Sequence, residues 1–150
     1  MSNIPSPDKE QNIELKIPTY LGYERVAMAT ASALARQMGL SENRINDLNT
    51  ALTEAILNAI EHGSQDSQQQ IFITFTQAVG KLIVSIRDQG PGYTPPAPGT
   101  KPNISDKLAS KDSPRGWGWF LIEQLVDHVE VSPVPGGGTI VRFSILLEDS

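Results

Sequence analysis

The sequence predicts an α/β two-layer sandwich (α+β): a mixed, mostly antiparallel sheet with helices on one face. Three observations predict it. Residues 70–77 and 81–88, and again 128–132 and 139–147, alternate apolar and polar side chains across short turns and read as two hairpins. Between residues 21 and 62 the apolar period lengthens to that of two consecutive helices. Helices grouped between hairpins, rather than alternating one by one with strands, pack on one face of an antiparallel sheet. Neither a GxxxxGK loop nor a GxGxxG strand–helix turn is present, which argues against a doubly wound nucleotide fold.

In chain order, residues 1–11 are polar with two prolines and read as a flexible lead, and residues 12–148 as a single domain. Ile13, Leu15 and Ile17 alternate with polar neighbours in a first strand that Pro18 closes. From about Leu21 to Met38 the spacing of Ala27, Ala31, Leu34 and Met38 is helical, with Gly39 as its stop. Ser41 suits the N-cap of a second helix reaching about His62 and ending at Gly63. Its apolar stripe is Ile45, Leu48, Leu52, Ile56 and Ala59. A turn at Gly80 joins the strands of the first hairpin, and a Pro-Gly turn joins those of the second. The intervening loop, about residues 89–118, is rich in Pro and Gly and too long for a plain connector, so it reads as a lid. A short helix over residues 119–126 follows, with Leu121, Ile122, Leu125 and Val126 facing inward.

Composition narrows the function. The chain of 150 residues, 39% hydrophobic and 19% charged, suits one ordinary globular domain with a real core. With no cysteine it can hold neither a disulfide nor a thiolate metal site, which fits a reducing compartment. Residues 1–11 lack the apolar centre of a signal peptide, and no apolar run approaches membrane-spanning length. The expectation is a cytoplasmic protein with no membrane contact. A net charge of −5 disfavours direct nucleic-acid binding, which rewards an excess of Lys and Arg.

Four short motifs carry candidate chemistry. In Glu54-Ala-Ile-Leu-Asn58, the carboxylate and carboxamide stack one helical turn apart, opposite the apolar stripe. Such a pair can hold a hydrated magnesium ion and orient a hydroxyl beside it; the alternative is a solvated helix face. Asp88-Gln-Gly90-Pro-Gly92 follows a strand whose apolar parity Asp88 shares, so Asp88 points toward the helices. An acceptor-only carboxylate there suits the exocyclic amine of adenine and repels the carbonyl of guanine; the alternative is an Asp-x-Gly turn. Arg115-Gly116-Trp117-Gly118 lies where the long loop meets a helix, a setting for phosphate on backbone N–H groups. Between Thr94 and Gly118 four cations, Lys101, Lys107, Lys111 and Arg115, oppose Asp106 and Asp112, a local +2. A flexible basic loop with a glycine hinge is the alternative there. Thr139, after three glycines, has the parity of Val141, Phe143 and Ile145, so its hydroxyl can reach the space beside Asp88.

In this order, EAILNAIEHG, DQGPG, RGWGWFLIEQLVD and GGGT resemble the boxes of the superfamily that includes gyrase, heat-shock chaperone, sensor histidine kinase and mismatch-repair ATPases. The resemblance runs from Ile13 to Leu147, and the form of the first box is most similar to bacterial anti-sigma factor serine/threonine kinases. It implies the Bergerat ATP-binding fold with ATP and Mg²⁺ as cofactors. It further implies Asn58 as Mg²⁺ ligand, Glu54 as catalytic base, and Asp88 on adenine with Thr139 helping through water. Gly90, Gly92, Gly116 and Gly118 would shape pocket and lid, with Arg115 near the terminal phosphate. Trp117 and Trp119 stand where this family usually carries smaller or aliphatic residues.

The function so implied is an anti-sigma factor that phosphorylates a serine on an antagonist protein and otherwise sequesters a sigma factor. A homodimer is also implied, with an exposed apolar patch on the first helix or strand as one surface for it. Phosphoryl transfer needs mainly positioning and charge neutralisation. A glutamate carboxylate is a weak base at neutral pH, so orientation and late proton acceptance suit it better than early deprotonation. The alternative is a non-catalytic ATP-binding module that acts by complex formation alone. A stand-alone histidine kinase is disfavoured, since no paired helices with a phosphoacceptor precede the domain. An ATPase module of a larger machine is disfavoured because the sequence stops soon after its last strand.

Overall fold

The structure, a computed structural model, describes residues 10–62, 69–90 and 118–147. Its elements run β1 (Gln11–Pro18), α1 (Glu24–Met38), α2 (Glu42–His62), β2 (Gln70–Ala78), β3 (Lys81–Arg87), α3 (Gly118–Leu125), β4 (His128–Pro133) and β5 (Thr139–Leu146). The strands form one sheet in the order β1-β2-β3-β5-β4. All four pairings are antiparallel, so the expected mixture of directions is not met among the described residues. Each neighbour pair is joined by a hairpin or by a long excursion that brings the chain back reversed, and neither route needs a parallel crossover.

Period decides which residues are buried. On β2, β3 and β5 the inward set is Ile71, Ile73, Phe75, Leu82, Val84, Ile86, Val141, Phe143 and Ile145, all buried. Against it lies the α2 stripe of Ile45, Leu48, Leu52, Ile56 and Ala59, buried as its spacing required. Each Leu or Ile so removed from water contributes about 1.5–3 kcal/mol relative to exposure. Ala27, Ala31 and Ala35 let α1 approach closely, and Ile122 anchors α3. Two expected core positions on α3, Leu121 and Leu125, are only partly buried, while Ile122 and the neighbouring Val126 form its buried side. Ile13 is 39% exposed, since β1 is an edge strand that the helices do not fully cover.

Helix α1 begins three residues later than its apolar spacing suggested. Gly22 takes φ +106°, which a right-handed helix cannot include, and its N–H donates to Glu24 Oε2 at 2.6 Å. Gly39, at φ +93°, ends α1 with its own N–H on the Arg36 carbonyl and that of Leu40 on the Ala35 carbonyl. Ser41 caps α2, its Oγ accepting from the Arg44 N–H at 3.2 Å. Across this corner Arg36 Nε donates to Glu42 Oε1 at 2.9 Å, and that bond holds the Glu42 carboxyl below its usual range. The expected helix stop at Gly63 lies outside the described residues.

Candidate functional site

Two polar clusters form on the helix-facing side of the sheet. The first belongs to α2 and α3. Asn58 is 2% exposed and Glu54 partly buried, although both lie off the apolar stripe. Among the described residues, the first turn of α3 lies against them. A Cβ built on Gly118 would stand 2.8 Å from Glu54 Oε2 and 3.5 Å from Asn58 Nδ2. The N-terminal end of a helix, with its partial positive charge, therefore abuts a carboxylate and a carboxamide. Phosphate oxygens are well placed at such an end.

The second cluster is made by β3 and β5. Their antiparallel register pairs Arg87 with Ile140 and so sets Asp88 beside Thr139, where the Asp88 N–H donates to the Thr139 carbonyl at 3.0 Å. Asp88 is 3% exposed, and its Oδ1 accepts the Gly90 N–H at 2.9 Å. That bond fixes the carboxylate and bends the chain at the Asp-x-Gly turn. Thr139 is 2% exposed, and its hydroxyl oxygen has no hydrogen-bond partner among the described residues. A buried hydroxyl left so costs free energy unless a ligand or water completes it. Asp88 and Thr139 thus form a cradle with one polar function fixed and another awaiting a partner, which fits an adenine-type base.

Of the residues anticipated from sequence, Glu54, Asn58 and Gly118 meet in the first cluster, and Asp88, Gly90 and Thr139 in the second. Gly92, Arg115 and Gly116 lie outside the described residues, as does most of the anticipated lid. No group of three or more His, Cys, Asp or Glu that could cage a metal occurs among the described residues. Magnesium bound through Asn58 would need phosphate oxygens and water for its remaining ligands, its usual habit at nucleotide sites.

Two supporting residues were not assigned from sequence. Gly138, at φ +102°, packs so tightly that a Cβ on it would overlap the Asp88 carbonyl. The only sequence signal was its place before Thr139 in a run of three glycines. Gln89, between Asp88 and Gly90, accepts the Gln70 N–H on its Oε1 at 3.0 Å and ties the turn to the start of β2. Nothing in the sequence marked that contact.

Comparison with known proteins places the chain in a family and a fold. Residues 17–145 match the model of the histidine kinase-like ATPase domain. The chain is 34% identical over 123 residues to a serine-protein kinase RsbW of Oceanobacillus iheyensis, covering 80% of this chain and 78% of that one. It is 28% identical over 121 residues to an anti-sigma F factor of a Thermoanaerobacter species, covering 81% and 83%. Among solved structures, the RsbU and RsbW domains of a Mycobacterium tuberculosis protein superpose with a TM-score of 0.67 at 20% identity. That match covers 93% of this chain but 33% of the longer one, and it speaks to the fold. With the family match running from the end of β1 into β5, over residues 17–145, the chain belongs to the histidine kinase-like ATPase domain family.

Proposed function

We propose that this protein is an ATP- and Mg²⁺-dependent serine/threonine kinase of the anti-sigma type. It phosphorylates an anti-sigma-factor antagonist and, when free of that antagonist, sequesters a sigma factor. Relatives named serine-protein kinase RsbW and anti-sigma F factor align over most of the chain and support the reading. The observation that carries it is the coexistence of two things: a buried polar cradle at Asp88 and Thr139, and a carboxylate, Glu54, beside Asn58 at a helix N-terminus. Nucleotide binding alone does not require Glu54.

Each residue has a definite task in this reading. Asp88 accepts from the adenine amine, with the Thr139 hydroxyl sharing a bridging water. Asn58 offers a neutral oxygen to magnesium, which when bound neutralises phosphate charge and fixes phosphate geometry. Glu54 orients the incoming serine hydroxyl and takes up its proton late in transfer. Gly118 lets the start of α3 approach both side chains. Residues 12–148 act as one domain, with residues 89–118 as its lid carrying Gly92, Arg115 and Gly116. The working unit is a cytoplasmic homodimer.

Incubating the wild type and Glu54→Ala with γ-labelled ATP, magnesium and a lysate of the source organism tests the reading. A small protein labelled on serine by the wild type alone is the expected result. ATP binding without any label would replace the kinase with a nucleotide-dependent binding module.

A further inference from the structure

Strand β3 leaves the sheet at Asp88, and the manner of its leaving singles out the next residue. The β2–β3 ladder runs from the Ala78–Lys81 pair to the Phe72–Arg87 pair. The Asp88 N–H turns to β5, where it donates to the Thr139 carbonyl at 3.0 Å. Backbone groups alternate sides along a strand, so residues 87 and 89 present theirs to β2. One more bonded pair would set Gln70 opposite Gln89, with the Gln70 N–H on the backbone carbonyl of residue 89. The chain bends there instead, at the Asp-x-Gly turn in which the Gly90 N–H donates to Asp88 Oδ1 at 2.9 Å. The Gln70 N–H is met by the Gln89 side chain, whose Oε1 accepts it at 3.0 Å. A side-chain carboxamide thus stands in for a ladder carbonyl.

The far end of that bond is itself fixed. Gln70 pairs with Pro18 of β1, and one residue earlier Thr19 Oγ1 donates to the Gln69 carbonyl at 2.7 Å. The start of β2 is therefore held from the β1 side, and Gln89 fastens the turn to it from the β3 side. Asp88 sits between two attachments: its own N–H on β5, and the neighbouring Gln89 side chain on β2. Gln89 is exposed whereas Asp88 is 3% exposed. Successive side chains of an extended strand leave on opposite faces. Gln89 therefore bears on Asp88 through the backbone they share. Residue type matters here: glutamine brings an acceptor on two methylenes, whereas asparagine is one methylene shorter and an aliphatic side chain accepts nothing.

We propose that Gln89 is a positioning residue for base recognition. Its bond to the Gln70 N–H sets where Asp88 holds its carboxylate, and so how strongly the protein prefers a purine that carries a 6-amino group. This rests on the reading of Asp88 as acceptor of the adenine amine and adds what aims that acceptor. Hydrogen bonds weaken steeply once the donor angle falls below about 120°, so a turn free to shift costs Asp88 its alignment before it costs the fold anything. Contacts to the rest of the nucleotide come from other residues and are indifferent to Gln89. Because the bond to Gln70 is exposed to water, its loss has the scale of one ordinary neutral hydrogen bond.

Calorimetric titration of the wild type, Gln89→Met and Gln89→Glu tests this, with magnesium and either ATP or purine riboside 5′-triphosphate. The second nucleotide differs from ATP only in lacking the amine. Methionine keeps the length of the side chain and removes the acceptor; glutamate keeps the acceptor. The wild type is expected to prefer ATP. Gln89→Met should shrink that preference about three- to tenfold, the range of one neutral hydrogen bond, by weakening ATP and sparing the analogue. Gln89→Glu should keep the wild-type preference. A residue that served the fold alone would lower the melting temperature or weaken both nucleotides alike, with their ratio unchanged. An unchanged ratio in Gln89→Met, or a ratio in Gln89→Glu as low as that of Gln89→Met, would overturn the role of Gln89 alone. A wild type that binds both nucleotides equally, or neither, would overturn the reading of Asp88 and this inference with it.

Discussion

A Cβ on Gly118 would stand 2.8 Å from Glu54 Oε2, so the first residue of α3 leaves room for the Glu54 carboxylate by having no side chain. The nearest atom is the far end of a flexible side chain rather than backbone. Gly118→Ala should therefore displace the carboxylate and leave the fold intact. We expect phosphotransfer to fall at least tenfold, about 1.4 kcal/mol in barrier, with unfolding free energy changed by less than about 1 kcal/mol. Steady-state transfer rates and urea denaturation on the same preparation check this.

Gly138 is the contrasting case. Its φ of +102° is strained for any L side chain, and the atoms a Cβ would meet are the Asp88 carbonyl group, which cannot swing aside. Gly138→Ala should cost about 1–3 kcal/mol of stability and weaken nucleotide binding by moving Asp88. Urea denaturation and calorimetric titration with an ATP analogue should report both losses together. A variant with wild-type stability and affinity would mean that the contact relaxes without consequence.

Asp88→Asn separates chemistry from shape. The variant keeps an oxygen for the Gly90 N–H, which now bonds to Asp88 Oδ1. It also introduces an N–H donor into a site proposed to receive the adenine amine, itself a donor. Affinity for adenine nucleotides should fall by about 2–3 kcal/mol, the scale of a lost hydrogen bond to a charged group, while the melting temperature holds. Unchanged ATP affinity would remove Asp88 from the pocket.

Arg44 ties the start of α2 to the end of α3. It donates to Asp47 at 3.1 Å, to the Leu125 carbonyl at 3.2 Å and to Asp127 at 2.7 Å. Asp127 Oδ2 in turn accepts the Leu146 N–H at 2.7 Å. With 21% of the Arg44 side chain exposed, its ion pairs are partly screened. Arg44→Ala should cost about 1–2 kcal/mol, most of it from lost hydrogen bonds. A double-mutant cycle with Asp127→Ala should show coupling well below the sum of the single losses, because Arg44 also bonds Asp47 and Leu125, and Asp127 also bonds Leu146.

The sequence by itself determined the elements and the faces they bury. A period of 3.6 put Ile45, Leu48, Leu52, Ile56 and Ala59 on one side of α2, and a period of 2 sent Asp88 and Thr139 inward with their apolar neighbours. These are local geometric rules, and they hold wherever the strand or helix goes. Where local rules competed, the reading failed: Gly22 delayed α1 despite a helical apolar pattern, and Leu121 and Leu125 stayed partly exposed. Only the tertiary structure decided what meets across long chain separations. Pairing of β3 with β5 rather than β4 set Asp88 against Thr139, and the docking of α3 on α2 set Gly118 against Glu54. The sheet order likewise aligned Glu14, Thr74, Ser85 and Arg142 in one row. Such neighbours follow from the packing of whole layers around a shared core, and no periodicity within a segment encodes them.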